Sequence, residues 1–102
     1  MSEKLVRDKI VEYVKKERNE DLEVRIASED EMVPLLKKKI LEEAQEVFDA
    51  KNTVELAEEL ADLLEVIRAL AAREKVVEMM FLKREAKYAE RGGFEKGVIL
   101  LK

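Results

Sequence analysis

The chain has 102 residues, 47% of them hydrophobic and 43% charged, with a net charge of −4, which predicts a single small domain over 1–102 with a core and little to spare. The acidic balance argues against a general nucleic-acid binder, which carries a basic footprint, and the absence of Cys and His excludes disulfides, thiol nucleophiles, Cys-based zinc sites and the commonest general base. Any chemistry must run on carboxylates, Lys, Arg, Tyr, water and metal, and with no apolar signal core and no run of about 20 apolar residues the expectation is a cytoplasmic protein that meets no membrane.

In chain order, Val6, Ile10, Tyr13 and Val14 recur at helical spacing and predict a first helix over 3–18, with Arg7, Asp8 and Lys9 as its charged, solvated turn. Asn19 to Asp21 breaks the pattern. The alternation of Leu22, Val24 and Ile26 then predicts a short strand over 22–27, which needs a partner. The C-terminal stretch GVILL is the only other strand-like run, either as that partner or as a strand paired with a neighbouring subunit. Ser28 with Glu31 is a capping-box pattern for a second helix; Pro34, a turn in, is expected to kink its start or to mark a restart at its own position, and either way the helix continues to about Ala50. Asn52 with Glu55, or Thr53 alone, caps a third helix running to about Arg73.

Neither Gly nor Pro separates this helix from a fourth. One long helix over 54–91 is therefore an open reading; the preferred one is a break near Glu74 and Lys75, where the apolar stripe loses its phase. On the fourth helix Lys83, Lys87 and Arg91 recur every four residues, the pattern of a solvated basic face. Gly92-Gly93 is expected to end that helix in the usual left-handed manner, Phe94 to tuck back as an anchor, and Gly97 to permit a turn. The Met79-Met80-Phe81-Leu82 run reads as core or subunit interface.

The second and third helices each carry an E-x-x-[ED] pair: Glu43 with Glu46, and Glu59 with Asp62. Spacing of i, i+3 places each pair on one face of its helix. If the two segments fold back about Lys51-Asn52-Thr53, Glu46 stands as far from the hinge as Glu59 does, and Glu43 as far as Asp62. With 24 acidic residues in the chain, such spacings also arise by chance. What separates this set is its place around the helix. Glu59 falls inside the apolar arc formed by Leu56, Leu60, Leu63, Leu64, Val66, Ile67 and Leu70, and Glu43 borders the arc of Val33, Leu36, Ile40, Ala44, Val47 and Phe48. A carboxylate on a core-facing arc must be protonated, paired or metal-bound. All-oxygen ligation suits Mg2+ or Mn2+ better than zinc. The bland alternative is a charged rim bridged to Lys39 or Arg68.

The opening Leu5-Val6-Arg7-Asp8-Lys9-Ile10, then Glu42-Glu43-x-x-Glu46, Glu59-x-x-Asp62 and Lys87-x-x-x-Arg91-Gly92-Gly93-Phe94, in that order over nearly the whole length, resemble the MazG-like all-α nucleoside triphosphate pyrophosphohydrolases, including the phosphoribosyl-ATP pyrophosphohydrolase-like branch. The resemblance implies an all-α, four-helix MazG-like bundle, oligomeric as a homodimer or homotetramer, to which the residue pattern adds the short strand segments. It implies Mg2+-dependent hydrolysis of a nucleoside triphosphate or related nucleotide to monophosphate and pyrophosphate, as in nucleotide-pool house-cleaning. Glu43, Glu46, Glu59 and Asp62 would hold Mg2+, for which Mn2+ could substitute. Glu42 and Glu43 would be the catalytic acids that position or deprotonate water. Arg7, Lys9, Lys83, Lys87 and Arg91 would hold the phosphates. Two positions depart from the pattern: Val11 stands where many members have Pro, and the junction of the third and fourth helices lacks the expected Gly. The alternatives are the phosphoribosyl-ATP pyrophosphohydrolase of histidine synthesis and a non-enzymatic helical interaction module.

Overall fold

A computed structural model describes residues 3–101 of the chain. Among them the secondary structure is entirely helical: α1 (Ile10–Arg18), α2 (Glu29–Asp49), α3 (Thr53–Arg73) and α4 (Val77–Arg91). None of these helices is long and apolar enough to cross a membrane. The chain divides into two compact units, Met1–Leu70 and Ala71–Lys102, the division falling in the last turn of α3.

In the first unit, α1 begins seven residues later than the apolar spacing predicts. Residues 8 and 9 form a turn, and the Ile10 N–H donates to the Arg7 carbonyl at 3.1 Å. The charged residues ahead of it are engaged in tertiary ion pairs instead of a helical face: Glu3 is held by Arg25 and Arg7 by Asp62. At its C-terminus α1 stops at Asn19, whose left-handed backbone (φ 54°, ψ 35°) lets its N–H reach the Lys15 carbonyl. Asn tolerates that conformation better than most residues.

The predicted strand over 22–27 is not present. The segment is irregular, Ile26 is 90% exposed, and the alternation of Leu22, Val24 and Ile26 finds no ladder to join. Arg25, between them, makes the segment's strongest contacts, to Glu3 and Glu31. Period-two patterning acts only through a neighbouring strand, and the described residues supply none.

α2 starts as its capping box dictates. The Ser28 side chain accepts from the backbone of Glu31, and the Glu31 carboxylate accepts the Ser28 N–H at 2.8 Å. The helix then runs unbroken through Pro34, which has no N–H to offer the Asp30 carbonyl. The connection to α3 is Ala50-Lys51-Asn52. Asn52 Oδ1 accepts the Glu55 N–H at 2.9 Å, and Glu55 Oε1 accepts the Lys51 N–H at 3.2 Å, so both predicted cap residues are used. Of the apolar arcs, Leu36 (4% exposed) and Val14 are buried, and Val33, Ile40, Val47, Leu63, Val66, Ile67 and Leu70 are half-buried. Leu56, Leu60, Leu64 and Phe48 (83% exposed) face solvent instead. The arcs drawn from the sequence are wider than the strip each helix covers.

The second unit begins with the end of α3. The break predicted near Glu74 and Lys75 is there, and it is a Schellman turn. The Val76 N–H reaches back to the Ala71 carbonyl at 2.8 Å and the Lys75 N–H to the Ala72 carbonyl at 3.1 Å. Lys75 takes the left-handed φ of 59° that Gly usually supplies. α4 ends at Gly92, whose φ of 81° and ψ of −176° lie outside the left-handed helical region, in a zone open essentially only to Gly. Gly97 turns the chain at φ 61°, its N–H on the Phe94 carbonyl. Phe94 does not anchor this end: it is 98% exposed. Val98 to Leu101 are likewise exposed and form no strand, and α4 buries none of its residues, Met79, Phe81 and Leu82 included. The Met79–Leu82 run is therefore not core within this chain.

Candidate functional site

Five carboxylates from α2 and α3 line one open cavity of about 830 Å³: Glu42, Glu43, Glu46, Glu59 and Asp62, with Lys4, Lys38, Leu41 and Gln45 beside them. All belong to the first unit. Sequence spacing put the acids on facing strips of the two helices, and all four line this one cavity, with Glu59 close enough to Glu46 to feel its charge. Glu59 holds its proton above the ordinary value, first through partial desolvation, then through the neighbouring Glu46 carboxyl and the charges of Asp62 and Glu43.

Glu43 and Asp62, the second pair expected at matched heights, line the same cavity, and each is also paired with a cation. Asp62 Oδ1 accepts from Arg7 Nη2 at 2.7 Å. Lys39 Nζ lies 3.5 Å from both Glu43 Oε1 and Glu42 Oε2. This is the Lys39 bridge that the charged-rim reading anticipates. It leaves Glu42 poorly served: its Oε2 is shut off from solvent and makes no hydrogen bond, the ammonium being at ion-pair range only.

As arranged, no group of three carboxylates among the described residues closes around a single point. Arg7 pairs with Asp62 and Lys39 with Glu43. The donor set nonetheless fits a hard cation. Every donor is a carboxylate oxygen, Glu42 Oε2 lacks a hydrogen-bond donor, and Glu59 stands among the like charges of Glu46, Asp62 and Glu43.

Of the basic residues expected at phosphate in the first unit, Arg7 pairs with one of the acids. Lys9 is exposed and does not line the cavity. Lys83, Lys87 and Arg91 are on the exposed surface of α4 in the second unit, where Arg91 Nε is 3.7 Å from Glu90 Oε1. On the same helix Arg84, Glu85 and Tyr88 line a depression of about 260 Å³, and the Tyr88 hydroxyl donates to Glu95 Oε1 at 3.4 Å.

Lys4 and Lys38 are cavity residues that reading the sequence missed. For Lys38 a signal existed, since it stands one turn before Glu42 on the same strip. For Lys4 none did: a residue in irregular chain reaches the site only through the tertiary path of its segment. No family model, no curated protein and no solved structure matches this chain.

Proposed function

We propose that the chain is a divalent-cation-dependent nucleoside triphosphate pyrophosphohydrolase of the MazG-like kind, acting at the cavity between α2 and α3. The observation that carries this reading is the convergence of five carboxylates and two lysines on one open cavity of about 830 Å³, a volume suited to a nucleotide-sized ligand. Five acids gathered without need are a standing cost in repulsion. A site that takes a polyphosphate through a cation uses that charge.

Glu43, Glu46, Glu59 and Asp62 would hold Mg2+, or Mn2+ in its place. When bound, the cation supplies neutralisation of phosphate charge and stabilisation of the charge that develops as the phosphoanhydride bond breaks. The chain's own groups do the rest. Glu42 and Glu43, both at the cavity, would position the attacking water and accept its proton. Lys4, Lys38 and Arg7, the cations that the first unit itself brings to these acids, would hold phosphate oxygens. The reaction opens one phosphoanhydride bond with one water and yields monophosphate and pyrophosphate. The exposed Leu41, Phe48, Val54, Leu60 and Leu64 of α2 and α3 support association of chains as a homodimer or homotetramer.

One observation favours a second reading. Lys39 and Arg7 already neutralise part of the cluster, as they would in a helical interaction module whose acids form a charged rim. One experiment separates the two. Pyrophosphate release is measured from a panel of canonical and modified nucleoside triphosphates and from phosphoribosyl-ATP, with Mg2+, Mn2+ or EDTA, for wild type and Glu59→Gln. The pyrophosphohydrolase reading expects cation-dependent release, lost in the variant by at least about a hundredfold. No release from any substrate, with thermal stability indifferent to cation, would leave the interaction module.

A further inference from the structure

Residues 3–9 precede the first helix as an irregular segment that is pinned at both ends. At one end Arg25 grips Glu3, with Nη2 donating to Oε1 at 2.7 Å and Nε to Oε2 at 3.1 Å. The other side of the same guanidinium grips Glu31, with Nη1 donating to Oε1 at 2.9 Å and Nη2 to Oε2 at 2.7 Å. Glu31 is itself the capping residue that accepts the Ser28 N–H. A planar guanidinium with five donors can fork two carboxylates at once, which an ammonium cannot. At the other end Arg7 sits on Asp62 at 2.7 Å, and Lys4, between the two pins, lines the acidic cavity. Nothing in helix formation needs Arg25 to reach Glu3: the α2 cap is complete with Ser28 and Glu31 alone. What the extra pair achieves is to fix the path of the segment that carries Lys4 and Arg7.

We propose that Arg25 is a positioning residue of the acidic site, clamping Glu3 to the first turn of α2 so that the strap 3–9 delivers Lys4 and Arg7 to the carboxylates. Arg7 occupies Asp62 while the site is without a cation and turns to phosphate when an anion enters. This rests on the functional reading above. Tethering raises the local concentration of both cationic side chains at the cavity, so the strap competes with a divalent cation for Asp62 and assists an anion. Loosening it must move the two affinities in opposite directions. A merely structural role for Arg25 would weaken both together.

The test titrates Mn2+ alone, and inorganic pyrophosphate at saturating Mg2+, by calorimetry into wild type, Glu3→Gln and Arg25→Gln. Glu3→Gln is the decisive variant because it frees the strap and leaves the Arg25–Glu31–Ser28 cap in place. In both variants Mn2+ is expected to bind about two- to fivefold tighter, the scale of one exposed ion pair, and pyrophosphate about three- to tenfold weaker. Arg25→Lys, which keeps the charge and loses the fork, is expected between wild type and Arg25→Gln. Affinities that fall together, or that do not move, in Glu3→Gln overturn the proposal alone if wild type binds both probes. A wild-type chain that binds neither overturns the pyrophosphohydrolase reading, and the strap with it.

Discussion

The two units use the same kind of helix to different ends. In the first, residues 3–70, the N-termini of α2 and α3 are closed by side chains, charged residues pair across long sequence separations, and Val14 and Leu36 are buried. In the second, Ala71 at the end of α3 is buried, but α4 buries none of its residues, and the apolar Phe94 and Val98–Leu101 run stand in solvent. Amphipathic pattern is therefore a statement of what a segment can bury. Burial itself requires a second surface, which the first unit provides within the chain.

The sharpest test of that contrast is a pair of large-to-small changes. Leu36→Ala should lower stability by about 2–5 kcal/mol, whereas Phe94→Ala, which empties no packed space, should stay within about 0.5 kcal/mol, both read by chemical denaturation. Equal effects would break the distinction between the units.

Next in size is the α2 cap. Ser28→Ala removes the hydroxyl that receives the Glu31 N–H and should cost about 1 kcal/mol. Glu31 is held down at a pKa of about 2, first by the Arg25 hydrogen bond and then by the Ser28 N–H. A lowered folded-state value means the unfolded chain binds the proton more tightly, so this contribution is present above the ordinary value of 4.5 and is lost as pH falls toward about 2. Thermal melting of wild type and Glu31→Gln from neutral pH downward should converge over that window.

Smaller again is the junction of α3 and α4. Lys75→Gly places the residue that tolerates positive φ where Lys now carries φ 59°, and should gain about 1 kcal/mol or less. A loss on that change would mean the Lys75 side chain supports the turn.

The acid pair gives the subtlest effect, and its sign is opposite to that of Glu31. Glu59 is raised, so the folded state binds its proton more tightly than the unfolded one. Stability therefore falls as pH rises from the ordinary carboxylate value through the raised one. In EDTA, Glu59→Gln should melt above wild type at neutral pH and converge with it below about pH 4. A variant less stable at neutral pH would instead mark Glu59 as a structural, ion-paired residue.

Helix ends were the most legible part of this chain, because a cap is a local contract. Ser28 with Glu31 and Asn52 with Glu55 span three residues each, and Lys75 shows that a turn can form where the usual Gly is missing. The acids of α2 and α3 were legible for a related reason: a short hinge makes the opposing register nearly arithmetic, which set Glu46 against Glu59. The start of α1, the fate of 22–27 and the place of Phe94 were not legible, since each depends on what a distant residue offers.

By itself, then, the sequence determined four helices, the caps of α2 and α3, the break at Glu74-Lys75 and the facing of Glu46 with Glu59, all through interactions that close within a few residues or across one short hinge. Only the tertiary structure decided that Arg7 pairs with Asp62, that Arg25 joins Glu3 to Glu31, that Lys4 reaches the acidic cavity, and which part of each apolar arc remains in solvent. Charges pair with whatever the folded path brings within about 4 Å, and that path is a property of the whole unit, not of any window of residues.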